Sequence, residues 1–260
     1  MTVHLRRILP QFLIYSACLL AGSLVSILLG QDRFSDLRNY HLYNPWAFLN
    51  GRNTRDILPA DLQTFFNPLP DLPLYLLGTG PLATSPRLFA AVQGLWSGLF
   101  LILLLTLLRR AEALQTERSA WAVFCAFLLG GTGAAFICQL GLSSNEVMLA
   151  DLVLGSLILL LPGCNSHGSN SNTDPTRRRT RNFLAGLLTG LATGLKPTAI
   201  IYVPPLALCA GVMIFFSVRD IRRALEAMIL TGAGCTAGFL ITYGWWGVYL
   251  WHLTGNPVFP

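Results

Sequence analysis

Between Ser35 and Gly51 the chain reads SDLRNYHLYNPWAFLNG, and this stretch holds its most chemically capable cluster. Read as a helix lying at an interface, with Ser35 or Asp36 as cap, it puts Asp36, Tyr40 and Tyr43 at positions i, i+4 and i+7, on one face. A carboxylate beside two phenols makes a hydrogen-bonding site, and a carboxylate within reach of a hydroxyl can take its proton. The competing reading is structural: Asp36 and Asp61 favour helix N-termini, and the aromatic rings anchor to lipid headgroups. Arg33, Arg38, Arg52 and Arg55 stand in the same region. Guanidinium groups bind phosphate bidentately, so an anionic ligand or ordinary headgroups would occupy them. His41 has no second His or acidic pair at a metal-ligand spacing, which points to hydrogen bonding rather than zinc.

Further along, Lys196 lies between two apolar runs, where a charge is costly and faces a cavity, a partner or the interface. Glu146 is expected to close an S-x-x-E capping box with Ser143. Asp151, about a turn deeper, needs a polar partner or water.

These residues must be held by helices in lipid. Of 260 residues 53% are hydrophobic and only 12% charged, about half the charge of a soluble domain. Apolar runs predict helices at about 8–30, 88–108, 119–138, 147–161, 183–195, 198–216 and 224–251, seven spans in an all-α polytopic bundle forming a single domain over 1–260. The first run is too long for a signal-peptide core and lacks a small-x-small cleavage site, so it reads as a retained helix. A long polar segment, 31–87, separates the first two spans. Within it a short helix is expected to begin at Pro59 and to end at Asn67-Pro68-Leu69-Pro70-Asp71. The stretch 163–182, rich in Ser, Asn and Arg, reads as a flexible loop. Trp245, Trp246, Tyr249 and Trp251 near the end of the last span read as an interfacial belt.

The net charge of +6 comes from clusters between spans, which excludes nucleic acid as the explanation. Arg6/Arg7, Arg109/Arg110/Arg118, Arg177/Arg178/Arg179/Arg181 and Arg219/Arg222/Arg223 alternate to one side, which predicts a cytoplasmic N-terminus. The polar segment 31–87, the 141–146 turn and Lys196 then face outward. The six cysteines are scattered and form no disulfide or metal spacing.

An Asp just after the first span, followed by NYHLYNPWAFLNGR, DILPADLQTFFNPLPDL and GLATGLKPT, resembles bacterial members of the GT-C glycosyltransferase superfamily. The resemblance implies an integral membrane enzyme of the cell inner membrane that moves a sugar from a polyprenyl-phosphate carrier to an acceptor at the outer face. It implies a catalytic carboxylate in the first external segment, which maps by position onto Asp36 or Asp32. It also implies substrate contacts, for which Arg33, Arg38, Tyr40, His41, Tyr43, Arg52, Asp71 and Lys196 are the candidates, Lys196 toward the carrier phosphate. Bilayer lipid and the lipid-linked sugar are the expected partners. A divalent cation is compatible with that chemistry, and no metal ligands are read from the sequence.

Two other classes compete. A transporter would also use a broken helix such as that at Lys196-Pro197, but no internal repeat accompanies it, and the densest polar segment lies outside the first span. A non-catalytic assembly or lipid-binding subunit would use Asp36 only as a cap. The chain stops soon after a span, so an N-terminal portion of a longer enzyme is expected.

Overall fold

A computed structural model of the protein describes residues 2–30, 35–53, 55–161 and 174–259. Among the described residues there are helices and turns but no strand. Helix α1 spans Thr2–Leu29, α2 Tyr43–Leu49, α3 Leu72–Thr79, α4 Pro86–Glu112 and α5 Ala120–Gly131. Then come α6 (Ala134–Ile137), α7 (Glu146–Leu160), α8 (Pro175–Leu195), α9 (Val203–Val218) and α10 (Ile221–Thr254). The protein is an all-α membrane helical bundle. Four segments are long and apolar enough to cross a bilayer by length and composition: Leu9–Leu29, Pro86–Glu112, Pro197–Val218 and Ile221–Thr254. Large apolar side chains on them, among them Leu20, Leu28, Phe216 and Ile241, are exposed, as lipid-facing residues are.

The third predicted span is not one helix. Its apolar run carries Gly130, Gly131 and Gly133, and α5 stops at Gly131. Glycine adds no side chain to packing and costs backbone entropy in a helix. Gly133 is extended, and α6 restarts after it. At 12 residues α5 reaches only about 18 Å. The expected loop 163–182 is also shorter than its composition suggests. From Pro175 onward it is helix, because the Asp174 side chain caps the Thr176 amide at 2.9 Å and Pro175 occupies the first turn.

The arginines of α8 therefore work from a helix. The Arg181 guanidinium donates to the carbonyls of Leu159 (2.7 and 2.8 Å), Leu160 (3.3 Å) and Leu161, which are the carbonyls α7 leaves unpaired at its C-terminus. Arg110 reaches the Ile158 carbonyl at 2.5 Å, and Arg179 pairs with Glu226 of α10 at 2.5 Å. One end of the bundle is thus tied by cations to helix ends.

The closest packing in the molecule joins α8 to α10. A Cβ added to Gly186 would lie 1.9 Å from the Thr231 carbonyl oxygen, one on Gly190 2.1 Å from that of Cys235, and one on Gly238 2.2 Å from that of Leu187. Lipid tails supply no hydrophobic drive between helices, so contact at this range, with its dispersion gain, is what holds such pairs. A looser version joins α1 to α4, where Gly22, Gly94 and Gly98 meet and Ser23 donates to the Ala91 carbonyl at 2.8 Å.

Gly190→Ala should destabilise the bundle by about 1–3 kcal/mol, since backbone must move to admit one methyl. Gly232→Ala, on the same helix pair but with nothing within 4 Å, should be close to neutral. Thermal unfolding of the two variants in detergent checks the contrast; equal shifts would contradict it.

Candidate active site

The segment between α1 and α4 is anchored to the α8–α10 pair through Asn67 and Trp246. Asn67 is buried; its Nδ2 donates to the carbonyls of Gly194 and Thr242, each at 2.9 Å, while its Oδ1 accepts the Leu69 amide at 3.0 Å. Pro68 and Pro70 flank it and limit the turn. Two more bonds hold the preceding 3₁₀ turn, Asp61–Phe65: Trp246 Nε1 donates to the Phe65 carbonyl at 3.0 Å, and Asn44 Nδ2 to that of Gln63 at 2.8 Å. Trp246 is therefore not part of an interfacial belt. It is 2% exposed and stacked on Tyr249, while Trp245 and Trp251 remain exposed.

The expected kinked helix over 35–51 is split. Leu37–His41 forms a π-helical turn, closed by the Leu42 amide on the Leu37 carbonyl at 3.0 Å, and α2 follows with Pro45 in its first turn. One extra residue in that turn changes which side chains share a face. Tyr40 stays beside Asp36 and hydrogen-bonds to it. Tyr43 turns away and donates to Asp56 Oδ2 at 2.5 Å. The expected triad of Asp36, Tyr40 and Tyr43 on one face is thus not assembled.

What the π turn gains is His41, which is buried and lies 2.7 Å through Nδ1 from Oδ1 of Asp71, the residue that leads into α3. Asn145 Nδ2 donates to the same oxygen at 2.6 Å. These residues border a cavity of about 200 Å³ together with Tyr40, Phe65, Phe66, Lys196, Tyr243 and Phe259. Lys196 precedes Pro197 and is extended, as a residue before proline must be, so it leaves the α8 axis. Its ammonium pairs with Glu146. The capping box expected for Glu146 is not formed: Asn145 is the N-cap of α7, and Glu146 serves as counter-ion to Lys196.

A family model, Glycosyltransferase family 87, matches residues 66–254. The chain belongs to glycosyltransferase family 87. It is accordingly a multi-pass membrane protein of a transferase family. No curated protein and no solved structure matches it. The family match takes in Asn67, Asp71, Asn145, Glu146 and Lys196, and begins after Asp36, Tyr40 and His41.

Of the residues singled out by sequence, Tyr40, His41, Asp71 and Lys196 come together on the cavity. Asp36 is exposed and reaches its edge through Tyr40. Arg38 is exposed and does not line the cavity. Asp32 and Arg33 lie outside the described residues. Arg52 is engaged elsewhere: it chelates Asp56 through two nitrogens, with the Tyr43 hydroxyl on the same carboxylate. Asn67, Asn145 and Asp56 were not anticipated; Asn67 was visible only as part of a Pro-rich helix end. Asp151 is 5% exposed, and neither carboxylate oxygen has a partner among the described residues, so the polar neighbour expected for it is not found there. No group of three or more His, Cys, Asp or Glu among the described residues could hold a metal ion. The described residues therefore offer no ligand set that fits a divalent cation.

The phenols respond to these neighbours. Burial, then the Asp36 charge, pushes Tyr40 far above its ordinary range. Burial, then the bond to Asp56, raises Tyr43 to about 12. Asp56 moves the other way: the Arg52 hydrogen bond, then that of Tyr43, holds its carboxyl below the usual range. A depressed carboxyl contributes stability above its unfolded value, near 4, and loses it as pH falls through the folded value. Acidifying from about pH 6 to about pH 3 should therefore release the 52–56 turn. The readout is hydrogen exchange at the Arg55 and Asp56 amides, which both bond to the Arg52 carbonyl, and Asp56→Asn should give the same loosening at neutral pH. Protection that survives acid, after correction for intrinsic rates, would contradict the assignment.

Proposed function

We propose that the protein transfers a sugar from a polyprenyl-phosphate carrier to an acceptor at the outer face of the cell inner membrane, with its N-terminus cytoplasmic. The observation that carries this reading is the convergence of a phenol, an imidazole, a carboxylate and an ammonium on one aromatic-walled cavity, at the end of the bundle opposite the arginine ties. The excess of arginine at the other end supports the orientation.

In this reading the acceptor hydroxyl attacks the anomeric carbon, the bond from that carbon to the phosphate oxygen breaks, and the electron pair leaves with the phosphate. Asp36 takes the acceptor's proton; it is exposed, free to meet an incoming acceptor, and held at the cavity edge by Tyr40. Tyr40, Phe66 and Tyr243 line the cavity and give it the apolar aromatic surface against which a sugar ring packs. Lys196 meets the carrier phosphate by exchanging Glu146 for it. Bilayer lipid supplies the medium through which the carrier arrives.

Asp36→Asn should lower transfer of radiolabelled sugar from polyprenyl-phosphate donors about 100-fold or more in membranes with unchanged expression. Lys196→Gln should chiefly raise the donor KM, by about tenfold or more, since it removes one charge-assisted contact. Tyr43→Phe, which removes only the hydroxyl bonded to Asp56, should transfer at near the parent rate. Full activity in Asp36→Asn removes that residue from the mechanism; no transfer from any polyprenyl donor by the parent protein removes the reading.

A further inference from the structure

Transfer of a sugar off a polyprenyl phosphate turns a phosphodiester monoanion into a phosphomonoester, which gains a second ionisable oxygen as the bond breaks. That new charge has to be met by a cation or a proton. Lys196 alone is a weak answer, because Glu146 already neutralises it. Asp71 and Lys196 line the cavity, and Glu146 stands behind Lys196 as its counter-ion, so a neutral His41 would leave this wall and its backing with a net negative charge. Such a wall repels phosphate.

Resting on the proposed transfer, we infer that His41 is a further catalytic residue: held by Asp71, its imidazolium donates the Nε2 proton to the departing phosphate. The geometry supplies the parts. Asp71 Oδ1 lies 2.7 Å from Nδ1, and Asn145 donates to the same oxygen at 2.6 Å, which fixes the carboxylate in place. The ring is pinned from its own turn by Tyr40, at a centroid separation of 4.1 Å. Among the described residues Asp71 is the one hydrogen-bond partner of His41, so Nε2 is the nitrogen left for substrate. A carboxylate on Nδ1 orients the ring and fixes which nitrogen faces the substrate.

The proton balance closes. His41 gives one proton to the phosphate oxygen that receives the bond's electron pair, and becomes neutral with Nδ1–H still on Asp71. The acceptor's proton goes to Asp36. One proton then returns from solvent to His41 and one leaves Asp36, so turnover consumes none. The groups that set the charge of His41 come from every side: Tyr40 and, through it, Asp36 on its own turn; Asp71 before α3; Glu146 on α7; Lys196 after α8; and Tyr243 of α10.

The test is the pH dependence of kcat, measured on the full chain in membranes or nanodiscs with saturating polyprenyl-phosphate donor. Wild type should lose kcat as pH rises, because a neutral ring has no proton to give on Nε2. His41→Gln should lower kcat about 100-fold or more, remove that alkaline limb, and leave the donor KM within about threefold. Asp71→Asn should also lower kcat, with the donor KM little changed, since the ring loses the carboxylate that orients it. A merely structural role for the pair would reduce the amount of active protein without moving the limb. A wild-type kcat flat to about pH 9 overturns the proposal without any variant being folded, as does a limb that survives unchanged in His41→Gln. If wild type transfers from no polyprenyl donor, the underlying reading fails and takes this inference with it; if wild type transfers and His41→Gln matches it, only the inference falls.

Discussion

Everything at the candidate site hangs from the approach of α8 to α10. Where a side chain would stand on Gly186, Gly190 or Gly238, the partner's carbonyl oxygen lies instead, about 2 Å from the missing Cβ position. This contact brings two carbonyls at the far end of the pair, Gly194 and Thr242, close enough for one amide to bond to both. Asn67 is that amide. The Thr242 carbonyl also accepts from Trp245 Nε1 at 3.2 Å, but leaving the Gly194 carbonyl at the end of α8 unpaired and buried would cost about 1–3 kcal/mol, so the fold of the polar segment and the packing of the spans are coupled. Asp71 follows four residues on, and through it the placement of His41 is inherited from a helix interface that neither residue touches.

Charge is handled in pairs throughout. Lys196 with Glu146, His41 with Asp71 and Arg52 with Asp56 lie in the polar segment or at its border; Arg179 with Glu226 closes the other end. Arg181 is answered by helix carbonyls rather than a carboxylate, which suits a cation that must satisfy several acceptors at once. Against this pattern Asp151 stands out, buried in α7 with no partner among the described residues.

The spans and the polar segment were legible because hydropathy over some 20 residues is a bulk property, insensitive to detail. The residues of the cavity were legible singly: Tyr40, His41, Asp71 and Lys196 are polar groups in a sequence with few of them. Their grouping was not. A π turn costs one residue of register and leaves no mark in composition, so the face predicted for Asp36, Tyr40 and Tyr43 dissolved while His41 moved inward. Trp246 looked like its exposed neighbours Trp245 and Trp251; only the Phe65 carbonyl above it distinguishes a strut from a belt. The arginines near Arg181 looked like loop because six of the residues before them are Ser or Asn, yet one capping aspartate and one proline were enough to begin a helix.

Helices that interlock through notches of this depth cannot roll or slide without one backbone climbing over another. The side chains that α8 and α10 present to the cavity, Leu195 and Tyr243 among them, therefore keep a fixed spacing. Any widening of the cavity then falls to its other walls, the turn that carries Tyr40 and the residues that follow α10.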